Sequence, residues 1–325
     1  MAPRRPRPPG RRAARLAPIL DRFQRGFDAD ARLSADPVEF PRRYADPGDA
    51  EVAGIVAACL AYGRADVFKV KVAQVLAAGG PSPAAFADRL AREPDARALG
   101  PFRYRFNSGE DVAALLAAVG LMRATHGSLG SRFAGLLGEG ASGKAPLREA
   151  LTRFAEELRS APPAQEILRE RGVRGLRHLC PDPGAGGAAK RWNLYLRWMV
   201  RGPDGVDLGI WRDVAPAVLV VPLDTHVARV ARRLGLTRRK DLSWRTAEEV
   251  TAALRLADPL DPVRFDFALC HLGMSGRCPP RRTQERCAVC ELSEGCEAGG
   301  RPGGAVSAPA SPGARGSRSA RGGRS

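Results

Sequence analysis

Apolar residues recur at helical spacing along most of the chain, and almost nowhere do they alternate as a half-buried strand would. Glu51–Leu60 and Asp66–Leu76 read as two helices separated by Ala61, Tyr62, Gly63 and Arg64. Val112, Leu115, Leu116 and Val119 mark one face of a helix over Asp111–His126, and Ala145–Leu158 forms another. Beyond a Pro- and Gly-rich loop from Pro181 to Gly187, Ala188–Val200 predicts a helix with Trp192, Leu196 and Met199 on one side. Residues 201–216 read as an inserted loop with a short turn, and Ala217–Leu223 as an apolar stretch, extended or buried. Val227, Val230, Ala231 and Leu234 keep i, i+3, i+4, i+7 spacing over Thr225–Leu234, and Gly235 stops that helix. Thr246 with Glu249 forms a capping box for a helix to Leu256. Asp261-Pro262 opens the last helix and Gly273 closes it. The pattern predicts an all-α protein of about nine or ten helices.

Residues 1–15 and 298–325 lack this periodicity and read as disordered, basic tails, leaving one folded body over 16–297. The formal charge of +17 is uneven: the first tail holds six Arg and the second five, with no acid in either, so the body carries the remaining +6. Such a balance suits a polyanionic partner, nucleic acid above all. No run of eighteen apolar residues exists, which excludes a membrane-spanning helix, and no apolar stretch follows the N-terminal arginines as a secretory signal requires. Seven cysteines, four of them crowded together, fit a reducing cytoplasm in which thiols hold metals.

Those four are Cys278, Cys287, Cys290 and Cys296, spaced C-x8-C-x2-C-x5-C. Pro279 and Pro280 forbid a helix there, while Gly276 and Gly295 permit tight reversals, so the thiolates can converge on one soft metal centre. A structural zinc pairs two C-x2-C knuckles well apart; the single knuckle flanked by lone cysteines suits a four-iron cluster better, with zinc as the alternative. Cys270 falls on the helix face of Phe267 and reads as core, as do the isolated Cys59 and Cys180. Trp192, Tyr195 and Trp198 also fall at core spacing.

Asp224 stands where the apolar stretch turns into a helix, the position of an N-cap and also of a residue facing a cleft, where a carboxylate can stabilise a cation or activate water. Gly184-Ala185-Gly186-Gly187 ahead of Lys190 can expose backbone N–H groups to a phosphate. Arg229, Arg232, Arg233, Arg238, Arg239 and Lys240 form a basic side that can contact phosphates.

The segment LDTHVARVARRLGL, followed by a helix ending in HLG and the cysteine loop, resembles the helix-hairpin-helix DNA glycosylases of the endonuclease III type. The run from Val56 to Asp66 and the residues 180–296 carry the likeness, and KRWNLYLRWMVR is similar to an uncharacterised bacterial branch of that fold. The resemblance implies two helical lobes with a cleft, one continuous over about 50–180 and the other joining the N-terminal helix to the C-terminal helices and the metal loop. It implies a monomer that binds double-stranded DNA, rotates a damaged or mispaired base out of the duplex and excises it. Asp224 matches the catalytic aspartate, the four cysteines the ligands of a structural [4Fe-4S] cluster, Gly184 and Gly186 the phosphate-gripping hairpin, and Arg64 the side chain that fills the vacated stack. By the same likeness Arg229 and Arg233 lie on the DNA side, and Lys190 takes the place of the amine that attacks the sugar. An ungapped match puts Ala188 there instead. Two residues are about 200° around a helix, which turns Lys190 away from Asp224 unless the hairpin is longer here, and leaves the lyase step open. The long insert between Lys190 and Asp224, with Trp211, is expected to reshape the pocket. Two other readings share these residues: a non-catalytic nucleic-acid-binding protein, and an iron–sulfur redox or sensing protein.

Overall fold

The structure, a computed structural model, describes residues 9–140, 143 and 145–297. Residues 1–8 and 298–325, which hold most of the two expected tails, lie outside it. α1 (Pro9–Arg25) begins inside the stretch expected to be tail. The one-turn α2 (Asp30–Leu33) follows, then α3 (Pro47–Leu60), α4 (Ala65–Ala78) and α5 (Pro83–Arg92). A two-residue antiparallel ladder pairs β1 (Arg103–Tyr104) with β2 (Asn107–Ser108), Tyr104 opposite Asn107. Next come α6 (Gly109–His126), α7 (Leu129–Glu139), α8 (Pro146–Ser160), α9 (Pro162–Ile167) and α10 (Arg174–Leu179). The chain then forms α11 (Lys190–Val200), α12 (Thr225–Leu234), α13 (Trp244–Arg255), α14 (Asp266–Met274) and α15 (Gln284–Ala288). The all-α expectation holds, with short helices adding to the expected number.

The helices start where side chains take up the first unpaired N–H groups. Asp46, Ser82 and Ser128 cap α3, α5 and α7, and Ser108 with Asp111 makes a reciprocal capping box for α6. Proline occupies the first turn of α3, α5, α8 and α9, where its missing N–H costs nothing. Several starts differ from expectation. Ser243, not Thr246, caps α13, and the Thr246 hydroxyl instead donates to Asp241 Oδ1 at 2.6 Å. α14 starts at Asp266, after turns over residues 262–265, and runs one residue past Gly273.

α6 is the centre of one group of helices, packed against α5, α7, α8, α9 and α10. It is therefore buried on every side, Val112 through Gly120, not on the single face that the apolar spacing suggested. The crossing with α5 is so close that a Cβ at Gly120 would stand inside the Ala87 carbonyl oxygen. Gly120→Ala is expected to cost ~1–3 kcal/mol, read as a lower urea midpoint at unchanged slope; an unmoved midpoint means the crossing has slack. A second group brings α12 against α14, and α1 against α13 and the turn Ser293–Gly295. α11 packs on α3 and reaches the second group through the ion pair of Arg197 with Asp266 of α14.

The insert folds back onto the helix that precedes it. Leu208 and Trp211 return to the end of α11 through N–H bonds to the Trp198 and Met199 carbonyls, both 2.8 Å. The buried Trp211 ring packs on Tyr195 and Phe133, and its Nε1 donates to Glu51 Oε1 at 2.7 Å. Glu51 also accepts the first N–H groups of α7, from Leu129 and Gly130 at 3.0 and 2.9 Å, although burial pushes its carboxyl above the usual range. The insert is thus a brace tying α11 to α3 and α7. Among the described residues, no single helix is long and apolar enough to cross a membrane.

Candidate active site at the start of two helices

The loop between α10 and α11 is a tight hairpin. Asp182 takes the Gly184 N–H at 2.7 Å, Gly186 adopts φ +94°, and Arg148 of α8 fastens the Pro183 and Gly184 carbonyls at 3.0 and 2.9 Å. Of the two expected phosphate-gripping glycines, Gly184 therefore has its N–H taken internally, and Gly186 donates to Pro183 O at 3.2 Å. Ala188 N–H and the Gly186 carbonyl pair with Leu242 O and Trp244 N–H, holding the hairpin to the start of α13. The N–H groups of Gly187, Ala189 and Lys190 have no acceptor among the described residues. They form the positive end of an eleven-residue helix and are free to meet an anion.

Ala189 decides where the lysine goes. Its φ of +48° is a left-handed conformation that a side chain adopts at a cost. It makes Lys190 the first residue of α11, so Ala188 lies outside the helix and the 200° argument does not apply. Lys190 Nζ stands 3.7 Å from Asp224 Oδ2. This corrects the expectation that Lys190 turns away.

Asp224 divides its two oxygens. Oδ1 caps α12, accepting the His226 and Val227 N–H groups at 2.8 Å each. Oδ2 faces Lys190 and, at 3.8 Å, the thiol of Cys270 on α14. The carboxylate is therefore both the N-cap of α12 and the partner of the Lys190 amine. Burial, then Asp224 and Asp266, push the Cys270 thiol far up, so it is a donor towards Oδ2. Lys190 keeps 36% of its side-chain surface exposed against 17% for Asp224, so the amine is the accessible member. Cys270 was read as core; its place beside Asp224 had no signal in the apolar spacing. His226 Nδ1 lies 3.2 Å from the Arg229 guanidinium.

Arg191, the next residue, leads to a second feature. Its guanidinium donates to the Cys59 and His178 carbonyls at 2.8 and 2.5 Å and lies over the Tyr62 ring. Tyr62 donates to Asn107 Oδ1 at 2.7 Å, which is also 3.0 Å from His178 Nδ1. Asn107 Nδ2 donates to Gly175 O at 2.8 Å, which fixes the amide so that His178 must carry its proton on Nδ1. Burial, helped by Arg191, lowers the His178 pKa, and burial with Tyr104 raises that of Tyr62. This rigid polar cluster supports the tip of the β1–β2 hairpin, where Arg105 has φ +50° and Phe106 is 70% exposed. The turn carrying Gly63 and Arg64 touches the hairpin, since a Cβ on Gly63 would meet Tyr104 Oη at 2.8 Å and Arg105 Nε at 3.0 Å. Arg64 itself is 78% exposed and paired with Asp66 at 2.7 Å. The sequence reading missed Phe106; two-residue strands carry too little alternation to be seen.

Cys278, Cys287, Cys290 and Cys296 line one cavity, with Val230, Leu234, Leu272 and Leu292. Burial pushes the Cys290 thiol up, and Glu291, Cys278 and Cys296 add to the shift. Among the described residues, no three His, Cys, Asp or Glu side chains stand around one point as ligands of a single ion. Arg229 and Arg233, expected on the phosphate-facing side, are turned inward onto this loop.

The site thus defines an all-helical protein in which a lysine and an aspartate, thirty-four positions apart, meet at the starts of two helices. The chain belongs to the family described as "Protein of unknown function (DUF2400)", which it matches over residues 36–275. That span includes Lys190 and Asp224 and ends before the four loop cysteines. No curated protein and no solved structure matches the chain.

Proposed function

We propose that this protein excises a damaged or mispaired base from double-stranded DNA, with Lys190 as the attacking amine and Asp224 as its acid–base partner. The observation that carries the reading is the 3.7 Å approach of Lys190 Nζ to Asp224 Oδ2, brought about by the left-handed Ala189. With an extruded nucleotide at this point, Asp224 Oδ2 first takes a proton from the Lys190 ammonium, and the freed amine attacks C1′ as the N-glycosidic bond breaks. The base leaves with the bond's electron pair and takes up that proton, and the carboxylate so restored offsets the positive charge on the sugar-bound nitrogen. The free N–H groups ahead of α11 suit the adjacent phosphate, which would fix the strand one residue from the nucleophile. The non-catalytic reading supposes that the lysine has been lost, and the approach of Lys190 to Asp224 favours the catalytic one.

The four cysteines would hold the metal centre. Four sulfurs lining one apolar cavity, with a single C-x2-C knuckle between two lone cysteines, suit an iron–sulfur cluster more than a single zinc. Such a centre would act as a structural cross-link of the loop.

Phe106 would serve as the stacking side chain on the lip beside Arg64, held stiff by the Tyr62, Asn107 and His178 cluster. Phe106→Ala is expected to weaken binding to a lesion-bearing duplex by ~1–3 kcal/mol; equal affinities remove its stacking role. The function itself is tested by incubating the protein with duplexes carrying a panel of oxidised, alkylated, deaminated and mismatched bases, and measuring released base. No release from any duplex, together with no covalent adduct to an abasic site under borohydride, ends the assignment.

A further inference from the structure

α12 carries Asp224 at its N-cap and, five and nine residues further, Arg229 and Arg233. Neither guanidinium reaches for solvent. Arg229 Nε donates to the Cys278 carbonyl at 3.0 Å and its NH2 to the Gly273 carbonyl at 2.7 Å. Arg233 NH1 donates to Cys278 Sγ at 3.3 Å, and its NH2 to the Pro279 and Pro280 carbonyls at 2.6 and 3.0 Å. Five hydrogen bonds from two side chains of one helix therefore end on residues 273–280, where the cysteine loop begins.

Beyond these bonds, the buried Leu292 and the ion pairs Arg22–Glu294 and Arg277–Glu291 hold the farther part of the loop. Its regular structure is the five-residue α15 and the turn Ser293–Gly295, neither with a buried residue. A centre bound by the four cysteines cross-links the segment and keeps the Cys278–Pro280 acceptors in place. It also requires Cys278 as a thiolate, which turns the Arg233–Cys278 contact into a charge-assisted bond. At the other end of α12, the first turn depends on Asp224 Oδ1 holding the His226 and Val227 N–H groups.

We propose that Arg229 and Arg233 are positioning residues that make the seating of Asp224 depend on an intact cysteine centre, so that losing the centre disables the Lys190–Asp224 pair some distance away. The inference rests on the base-excision and metal-centre readings above. Without the centre, the loop acceptors move and two half-buried guanidiniums lose defined partners. The start of α12 then frays, and Oδ2 leaves its place opposite Lys190. The competing outcome is that apolar burial of Val227, Val230, Ala231 and Leu234 holds α12 in position by itself.

Hydrogen exchange on the full-length protein separates these outcomes. Iron, sulfide and zinc are first measured in the purified protein. Exchange at the His226 and Val227 amides is then followed in the wild type before and after chelation, and in metal-loaded Arg233→Met and Arg233→Lys. Chelation and Arg233→Met should each speed exchange at these amides by about tenfold or more, and Arg233→Lys by less, because the lysine keeps one charged donor. Unchanged exchange after chelation overturns the proposal. So does faster exchange on chelation with metal-loaded Arg233→Met behaving as wild type, because the coupling then bypasses the clamp. If Arg233→Met does not fold, Arg233→Lys and the chelated wild type still decide the matter. A wild type holding neither iron nor zinc removes the metal centre and this proposal with it. Absence of a borohydride-trapped adduct in the metal-loaded wild type instead counts against base excision alone, and leaves the exchange result standing.

Discussion

Lys190→Ala should abolish the covalent adduct that borohydride traps on an abasic duplex, while Asp224→Asn should bind the same duplex and release base ~10²–10⁴-fold more slowly. The second substitution is chosen because Asp224 has two jobs. Its Oδ1 caps α12 through His226 and Val227, so Asp224→Ala would mix a lost cap with lost chemistry. Asparagine caps a helix about as well as aspartate, and its amide oxygen can keep both N–H bonds while the charge facing Lys190 is gone. A slow Asp224→Asn protein with an unchanged melting temperature therefore reports on Oδ2 alone. The measurement is single-turnover base release with binding followed separately. An Asp224→Asn rate within a few-fold of the wild type would make the carboxylate only a helix cap, and an adduct surviving in Lys190→Ala would place the nucleophile elsewhere.

The parts of this site that could be read from sequence are those with local physical causes. α12 was legible to the residue because its apolar spacing, the Asp224 cap and Gly235 all act within ten positions. The four cysteines line one cavity for the same reason, being close together in sequence. What escaped notice depends on contacts between distant residues or on one dihedral angle. The left-handed turn at Ala189 has no residue signal, since glycine is the usual occupant of that conformation, yet it alone brings Lys190 to Asp224. Cys270 faces Asp224 only because α14 packs on α12. Arg229 and Arg233 look like a solvated basic face until the loop that accepts their hydrogen bonds is folded against them. The arginines within the apolar run of α11 gave no hint of the charge network they build inside the protein.

That network carries the largest expected stability effect. Arg197, 2% exposed, donates to Asp207 Oδ1 at 3.2 Å and Asp266 Oδ2 at 2.6 Å, and Asp36 is held below its usual pKa against burial, by the His271 hydrogen bond first and by Arg197 next. Arg201 pairs with Asp207, Asp204 and Asp261. Carboxylates outnumber guanidiniums, and burial pushes Asp207 and Asp266 up to about 6 each in spite of their arginines. Arg197→Met leaves buried acids without their counter-charge and should cost ~3–5 kcal/mol at neutral pH. The pH dependence has a definite sign. Asp207 and Asp266 hold protons in the folded chain that the unfolded chain releases near ~3.9. Their contribution to stability is thus fully present below that value and is lost as pH rises through about 6. Asp36 and Asp204 run the other way, stabilising above their unfolded pKa and failing only in stronger acid. Without Arg197, Asp207 and Asp266 should rise further, so protonating them at pH ~5 removes much of the penalty. Urea unfolding of wild type and Arg197→Met at pH ~5 and ~7 should give a clearly smaller difference at the lower pH. An equal difference at both would mean that these acids do not titrate in that range. The consequence reaches the site because Arg197 lies two turns after Lys190 on α11 and Asp266 one turn before Cys270 on α14. The same ion pair that stabilises the core sets the spacing between the helix that carries the amine and the one that backs Asp224, so the variant's trapped adduct should also recover towards pH ~5 with its stability.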